Sequence, residues 1–181
     1  MNKFVGNLMA ELETGREGMN AVNELAWLLE MNTRILCGVL NEAQTETYKA
    51  FLDIELWSVR LTIDEQKEIA EYLADFLLQN KENEVCSSVI WVMGKILPEA
   101  GLPALIMAIK QGGAGFDDEM SYQSLISLEN FLIYFAERNE CEKPVTPPEL
   151  TDFVEKKANS ENERLSELAR RVMIKIKALC L

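Results

Sequence analysis

Residues 85–110 read VCSSVIWVMGKILPEAGLPALIMAIK, and this stretch decides the fold class. Its first half predicts an apolar helix over residues 85–97, which Pro98 ends because the residue before a proline disfavours the α region. A turn at residues 98–101 leads to a second helix that reaches Lys110. Pro103 falls in the first turn of that helix, where a missing N–H is tolerated. Two short apolar helices joined by a tight turn indicate a helical hairpin.

The hairpin pattern recurs along the chain. Similar apolar segments are VMGKI at 92–96, SLENF at 127–131, VMIKI at 172–176 and, more weakly, Ile54 with Trp57. Partner helices are expected at 63–79, 102–110 and 148–157, the last opened by Thr146, Pro147 and Pro148. Such spacing is typical of helical solenoids. We predict one all-α domain over 1–181, of stacked antiparallel helix pairs with repeats at 45–110 and 120–181. An irregular helical bundle is the alternative.

The clearest single helix covers residues 63–79. Thr62 is a good N-cap, and Glu65 three residues later completes a capping box. Apolar residues recur at spacings of three and four and form one stripe for a core. On the opposite side, carboxylates at the same spacing share one face: Asp64, Glu68, Glu71 and Asp75. A row of this kind is ordinarily a solvated helix face, and the functional interpretation is a surface for a basic partner.

The charge balance narrows the class of partner. Thirty acidic residues against eighteen basic ones give a net charge of -12, and the chain contains no histidine. Nucleic acid and anionic membranes are held mainly by lysine and arginine, so neither is expected as a partner. An acidic surface attracts cationic proteins and can accelerate their association by about 10- to 10³-fold. Simple solubility is the alternative explanation of the acid excess.

The cysteines and the hydropathy pattern indicate a cytoplasmic protein. Cys37, Cys86, Cys141 and Cys180 are widely spaced and form no CxxC pair, which disfavours zinc. Cys86 and Cys180 are expected to be small buried hydrophobes, and unpaired thiols suit the cytosol. The N-terminal stretch has no uninterrupted apolar core of the kind that a secretory signal needs, and no window approaches a membrane span.

Catalysis is not expected. Without histidine there is no Ser-His-Asp or Cys-His nucleophile and no histidine metal site. Carboxylate catalysis needs two acids that converge in a buried cleft with separated pKa values. The acids of the 63–79 helix lie opposite its apolar stripe and should be solvated. We therefore expect no enzyme activity, cofactor, metal or small-molecule substrate.

A second candidate contact region is the glycine-rich segment QGGAGFDDEM at residues 111–120. A phosphate loop would need a preceding strand and a Gly-Lys-Ser/Thr ending, and both are missing here. The plain interpretation is a helix C-cap at Gly112 or Gly113, a loop, and an N-cap at Asp117 or Asp118. The functional interpretation is an aromatic anchor in an acidic rim, formed by Phe116, Asp117, Asp118 and Glu119. Trp27, Trp57 and Trp91 lie in apolar helical patterns and are expected to pack in the core.

The segment VIWVMGKILPEAGLPALIMAIK resembles a HEAT-type repeat, with an (L/M)GxI core, a turn and a helix opened by GLPxLI. The match is good over this stretch and loose over the rest of the chain. The last unit carries Ile174 where the first has Gly94, which puts a close helix crossing there in doubt. This resemblance implies a fold and not a function.

A second resemblance concerns function. The short, acidic, helical chain that begins MNKFVGNLMAELETGREGMNAVNELAWLLE is similar to helical immunity proteins of bacterial contact-dependent inhibition and related polymorphic toxin systems. The resemblance implies binding to a cognate basic toxin domain, often a nuclease, whose active site it would occlude inside the producing cell. A HEAT-like scaffold or adaptor for a basic protein is the alternative. An enzyme acting on nucleic-acid bases, as some HEAT-like proteins are, would need a basic groove, and the acid excess argues against it.

Overall fold

The structure, a computed structural model, describes residues 3–14, 18–80, 84–138 and 147–179. These residues form helices and short connections and contain no strand, so the prediction of an all-α fold is confirmed. The helices are α1 (Lys3–Leu12), α2 (Gly18–Leu36), α3 (Glu42–Phe51), α4 (Ile54–Ser58), α5 (Ile63–Gln79), α6 (Cys86–Met93), α7 (Pro98–Gly112), α8 (Asp118–Arg138), α9 (Pro148–Ala158) and α10 (Glu163–Leu179).

Most of the helices pack in two rows. The first row consists of α2, α6, α8 and α10, each in contact with the next, and the second consists of α5, α7 and α9. The similar segments at 92–96, 127–131 and 172–176 fall on or at the end of α6, α8 and α10, three consecutive helices of the first row. The expected partner helices are those of the second row. The core lies between the rows, and its largest fully buried side chains include Leu29, Leu73, Met93 and Phe131.

Helix α5 has the bounds that its sequence predicts. Thr62 accepts a hydrogen bond from the backbone N–H of Glu65 at 3.2 Å, and the Glu65 carboxylate accepts one from the backbone N–H of Thr62 at 3.0 Å. This capping box satisfies two N–H groups at the end of the helix. One face of α5, including Ile69, Leu73 and Leu77, is fully buried. The apolar spacing therefore fixes which face of α5 points outward.

The connection between α6 and α7 differs from the prediction. Helix α6 already ends at Met93, and α7 begins at Pro98, so a turn at residues 98–101 is wrong and Pro103 lies inside α7. Proline is suited to the first helical position because its φ is already helical and its missing N–H is not needed there. The preceding residue, Leu97, is held by α5, since its backbone N–H donates to the Gln66 side chain at 2.8 Å.

The glycine of the VMGKI segment marks a close crossing of α6 and α8. A Cβ placed on Gly94 would lie 2.5 Å from the Ser127 Oγ and 2.8 Å from its Cβ, so no larger residue fits without movement. The Ser127 hydroxyl donates to the Ile90 carbonyl oxygen at 3.0 Å. Ile174, the corresponding residue of the last unit, is 69% exposed, so this position does not form the close packing seen at Gly94.

Helices α3 and α4 lie outside the two rows. The weaker upstream match, Ile54 with Trp57, falls on α4, whereas α2 occupies the corresponding place in the first row. Helix α3 packs on α2, and the buried Asn32 of α2 holds the segment that follows α4. The Asn32 side chain accepts from the Leu61 backbone N–H at 2.8 Å and donates to the Val59 carbonyl oxygen at 3.4 Å.

Candidate functional site

The predicted acidic face of α5 is at the surface. Asp64, Glu68, Glu71 and Asp75 are all exposed, and the Asp64 side chain keeps 90% of its accessible surface. The ammonium of Lys67, the single basic residue of α5, lies 3.5 Å from the Asp64 carboxylate. An exposed pair at this distance contributes little to stability. The outer face of α5 is therefore a strongly negative surface that the helix itself does not neutralise.

A groove beside this face adds apolar surface to the charge. It lies between α5 and α7 and has a volume of about 310 Å³. Its lining residues are Lys67, Glu71, Glu99, Ala100, Pro103, Ala104 and Met107. Carboxylates of both helices thus flank a largely aliphatic floor. The sequence pattern pointed to Glu71 but not to Glu99, because only the packing of α7 against α5 brings the two helices together.

The second candidate region, residues 116–119, is corrected by the structure. Phe116 is only 6% exposed and therefore cannot serve as a surface anchor. Its ring packs against Gly112 in the bend that joins α7 to α8. A Cβ placed on Gly112 would lie 3.2 Å from this ring. The acids next to Phe116 in the sequence suggested that its side chain is exposed. A short polar loop can nevertheless bury one aromatic residue between two helix ends. The predicted C-cap region is confirmed, since α7 ends at Gly112 and is followed by a 3-10 turn at Gly113–Gly115.

The three acids that follow Phe116 are exposed but hold local structure. Asp117 caps α8 by accepting from the Met120 backbone N–H at 2.7 Å. Asp118 accepts from the Asn162 amide at 2.9 Å, and Glu119 accepts from the Gln123 amide at 2.7 Å. These bonds do not prevent contact with a partner. They do give each acid a structural role that the α5 face lacks at Glu71 and Asp75.

An additional cleft, not predicted, lies on the first row between α2, the α6–α7 turn and α8. It measures about 310 Å³, and its lining includes Glu30, Arg34, Lys95 and Tyr134. Glu30 accepts hydrogen bonds from Arg34 at 3.0 and 3.2 Å and from the Tyr48 hydroxyl at 3.1 Å, and the Lys95 ammonium lies 2.8 Å away. Every charge of this cluster has an opposite charge beside it.

The pKa values of this cluster follow from its contacts. Burial raises the pKa of Glu30, but the hydrogen bonds and charges of Lys95 and Arg34 outweigh burial and hold it below its ordinary value. Burial and the neighbouring Glu30 raise the pKa of Tyr48 to about 12. Both groups are thus fixed in their ordinary ionisation states at neutral pH. A general acid or base would need a pKa nearer neutrality.

The tryptophans are less buried than expected. Trp27, Trp57 and Trp91 pack against the core but remain half-exposed. The Trp27 ring stacks on Phe51 with centroids 4.7 Å apart, and the Lys95 ammonium lies 5.2 Å from the centre of the Trp91 ring. Helical spacing identified the side on which these residues lie. It could not show how far neighbouring segments cover them.

Two of the four cysteines, Cys37 and Cys86, lie among the residues that the structure describes. Cys86 is buried, as predicted, and Cys37 is half-exposed, with its thiol donating to the Tyr134 hydroxyl at 3.3 Å. Cys141, Cys180 and the expected cap residue Thr146 lie outside the described residues. Within the described ranges, no three acids or cysteines are grouped as a metal site would require.

No helix of the described part of the chain is both long enough and apolar enough to cross a membrane. Comparisons with family models, with curated proteins and with solved structures find no match to this chain. The function of the chain is therefore inferred from the arrangement of its own side chains.

Proposed function

We propose that this chain is an immunity-type inhibitor, which binds a basic toxin domain such as a nuclease and occludes its active site in the cytoplasm of the producing cell. The observation that carries the proposal is the outer face of α5, where Asp64, Glu68, Glu71 and Asp75 are all exposed. A nuclease holds phosphate with lysine and arginine, and a row of carboxylates is complementary to such a site.

The groove between α5 and α7 supports the same proposal. Its aliphatic floor, including Ala104 and Met107, lies beside Glu71 and Glu99. Stable protein interfaces combine a desolvated apolar centre with a polar rim and bury about 1,600 Å² in total. In the proposed complex the floor supplies apolar contact, and the surrounding carboxylates set the orientation and speed of association more than the final affinity.

The test uses the product of the neighbouring gene, which the proposal expects to carry a basic toxin domain. Reversing charge on α5 with Glu68→Lys and Glu71→Lys should slow association by about 10- to 100-fold at low salt, since electrostatic steering has this magnitude. The matched control, Glu163→Lys with Glu167→Lys, makes the same charge change on the exposed side of α10. Binding rates are measured by stopped-flow or surface plasmon resonance over a range of salt concentrations. Equal slowing by both pairs, or no binding by the parent chain, would reject the proposal.

A scaffold or adaptor for another basic protein is the second candidate. The two rows of helices favour it, because stacked helix pairs offer extended faces for assembly. The same α5 variants would then impair assembly of a complex in the cell without changing sensitivity to any toxin. Growth in the presence and absence of the neighbouring gene product distinguishes the two functions.

A further inference from the structure

Trp27 of α2, Phe51 of α3, and Ile54 and Trp57 of α4 form an apolar strip at the surface, in which Phe51 and Ile54 are exposed and the two tryptophans are partly buried. Phe51 is 56% exposed although it stacks on Trp27 with an interplanar angle of 4°, and Ile54 is 84% exposed. Phe51 and Ile54 are three residues apart, so their Cα atoms lie within about 11 Å of each other. Ile54 and Trp57 are also three apart and share a side of α4. The strip thus runs from the Trp27–Phe51 stack along the chain to Ile54 and Trp57.

Packing within the chain leaves Phe51 and Ile54 exposed and covers the two tryptophans only in part. The residues that bury α3, α4 and the following segment are different ones: Tyr48, Leu52, Leu56, Val59 and Leu61, each at most 5% exposed. Large apolar side chains gathered on one surface are characteristic of protein contact sites, and tryptophan is enriched at the residues that dominate binding energy.

The charges beside the strip define the chemistry of its partner. Burial, together with the negative charges of Asp53 and Glu11, raises the pKa of Glu24, which lies on α2 one turn before Trp27. Among the described residues, no cation is paired with Glu24. A lysine or arginine brought by a partner would relieve the repulsion between these carboxylates.

The negative surface continues from the strip to α5. Glu11 lies on α1, and Glu13 follows it and accepts a hydrogen bond from the Tyr72 hydroxyl at 3.3 Å. Tyr72 is on α5, next to Glu71 and three residues before Asp75. At the opposite end of the strip, Lys49 and Arg60 lie 5.7 and 5.6 Å from the centre of the Trp57 ring. A basic partner is thus favoured at the Trp27–Phe51 end.

We propose that the strip is the apolar anchor for a basic protein segment, one that presents an aliphatic or aromatic side chain flanked by lysine or arginine. This inference rests on the proposed function, because it assigns a second contact to the same basic partner. The strip receives the apolar side chain against Phe51 and Ile54, while Glu24 and Asp53 receive the cation. Charge on α5 then governs the association rate, and the strip governs the dissociation rate.

The first experiment uses designed helical peptides as probes. One peptide has a leucine face and a lysine face, a second replaces every leucine by serine at the same charge, and a third replaces every lysine by glutamate. The leucine–lysine peptide should shift the indole N–H resonance of Trp27 in NMR spectra and lower the pKa of Glu24. Its affinity should be at least about ten times that of the serine–lysine peptide. Equal binding of these two peptides would overturn the proposal, and so would tighter binding of the glutamate peptide.

The second experiment uses variants that leave the core intact. Phe51→Ser with Ile54→Ser should speed dissociation of the leucine–lysine peptide about tenfold, whereas Ile174→Ser, at an exposed isoleucine of α10, should leave it unchanged. Circular dichroism confirms that each variant is folded. Strip-dependent binding to phosphatidylcholine vesicles in place of the peptide would overturn the proposal.

The two proposals can fail separately. If the charge reversals on α5 slow association of the neighbouring toxin domain while the strip variants leave its dissociation rate unchanged, the strip inference is wrong and the proposed function stands. If neither set of variants affects that domain although the strip still binds the peptide, the proposed function is wrong.

Discussion

Helices α5 and α10 have the same length and opposite charge. Helix α5 carries five acids and one lysine, and α10 carries two acids and five basic residues. The Arg171 guanidinium on α10 forms a two-bond contact with Glu129 of α8 at 2.7 Å for each bond, and Lys175 lies 3.8 Å from the same carboxylate. On α5, Glu71 and Asp75 face solvent. The charges of the two helices therefore differ in role, since part of the charge of α10 joins two helices.

The largest expected effect concerns what the two helices have in common, a fully buried apolar face. Leu73→Ala on α5 and Leu165→Ala on α10 should each lower the free energy of unfolding by about 2–5 kcal/mol, because both side chains are at most 1% exposed. Urea denaturation followed by circular dichroism measures this loss. If the α10 variant alone lost little, α10 would be unfolding separately from the rest, and the comparison between the helices would no longer hold.

The next effect tests a carboxylate with several partners. Glu30→Gln should lower the free energy of unfolding by about 1–3 kcal/mol near neutral pH, because Lys95, Arg34 and Tyr48 lose a charged acceptor. The pKa of Glu30 lies below its ordinary 4.5 in the folded chain, so its stabilising effect is complete above about that pH. The effect is lost as the pH falls through the lower, folded pKa.

The measurement for Glu30 is therefore made at two pH values. The difference in stability between the parent chain and Glu30→Gln should shrink from neutral pH to about pH 3. Glu46→Gln, which removes an exposed partner of Lys49, is the control and should show little difference at either pH. A constant difference for Glu30→Gln would show that its ion pairs do not stabilise the fold.

A smaller effect is expected at the contact between α8 and α10. Glu129→Gln should lower the free energy of unfolding by about 0.5–1 kcal/mol, because the contact is bidentate but Arg171 is mostly exposed. The loss should diminish as salt is added, and Arg170→Gln on the same helix should have no comparable effect. Equal losses from both variants would mean that the contact with Glu129 has no special role.

The smallest effect has the opposite sign and belongs to α5. Glu71→Gln with Asp75→Asn should raise the free energy of unfolding by a few tenths of a kcal/mol at low salt, since like charges four residues apart on a helix repel. Thermal unfolding at low and high salt measures this gain, which salt should remove. A loss of stability would show that these acids serve the fold, and would weaken their assignment to a partner.

The sequence predicted α5 well because its signals are local. The capping box of Thr62 and Glu65, the apolar spacing and the outward acids all lie within one helix. The turn before α7 was placed wrongly because Pro98 can either end one helix or begin the next. The choice was decided by contacts with residues distant in sequence, including the bond between Leu97 and Gln66.

The candidate sites show the same limit. Exposure of Asp64 and Glu71 followed from helical geometry, whereas burial of Phe116 depended on the helix ends around its loop. The stacking of Trp27 on Phe51 joins residues 24 positions apart in the chain, and apolar spacing assigned Trp27 to a core without indicating this partner. Surface shape that arises between helices, such as the groove beside Glu99, has no signature in a single segment.

The crossing of α6 and α8 has a consequence for how this architecture can vary. Gly94 and Ser127 already touch, so the two helices cannot come closer, and any larger residue at either position can only wedge them apart. Substitutions at these two positions can therefore increase the distance between α6 and α8 but cannot reduce it. Because α6 also contacts α5, and α8 contacts α10, a wedge here would widen the separation between the negative and positive helices of the molecule.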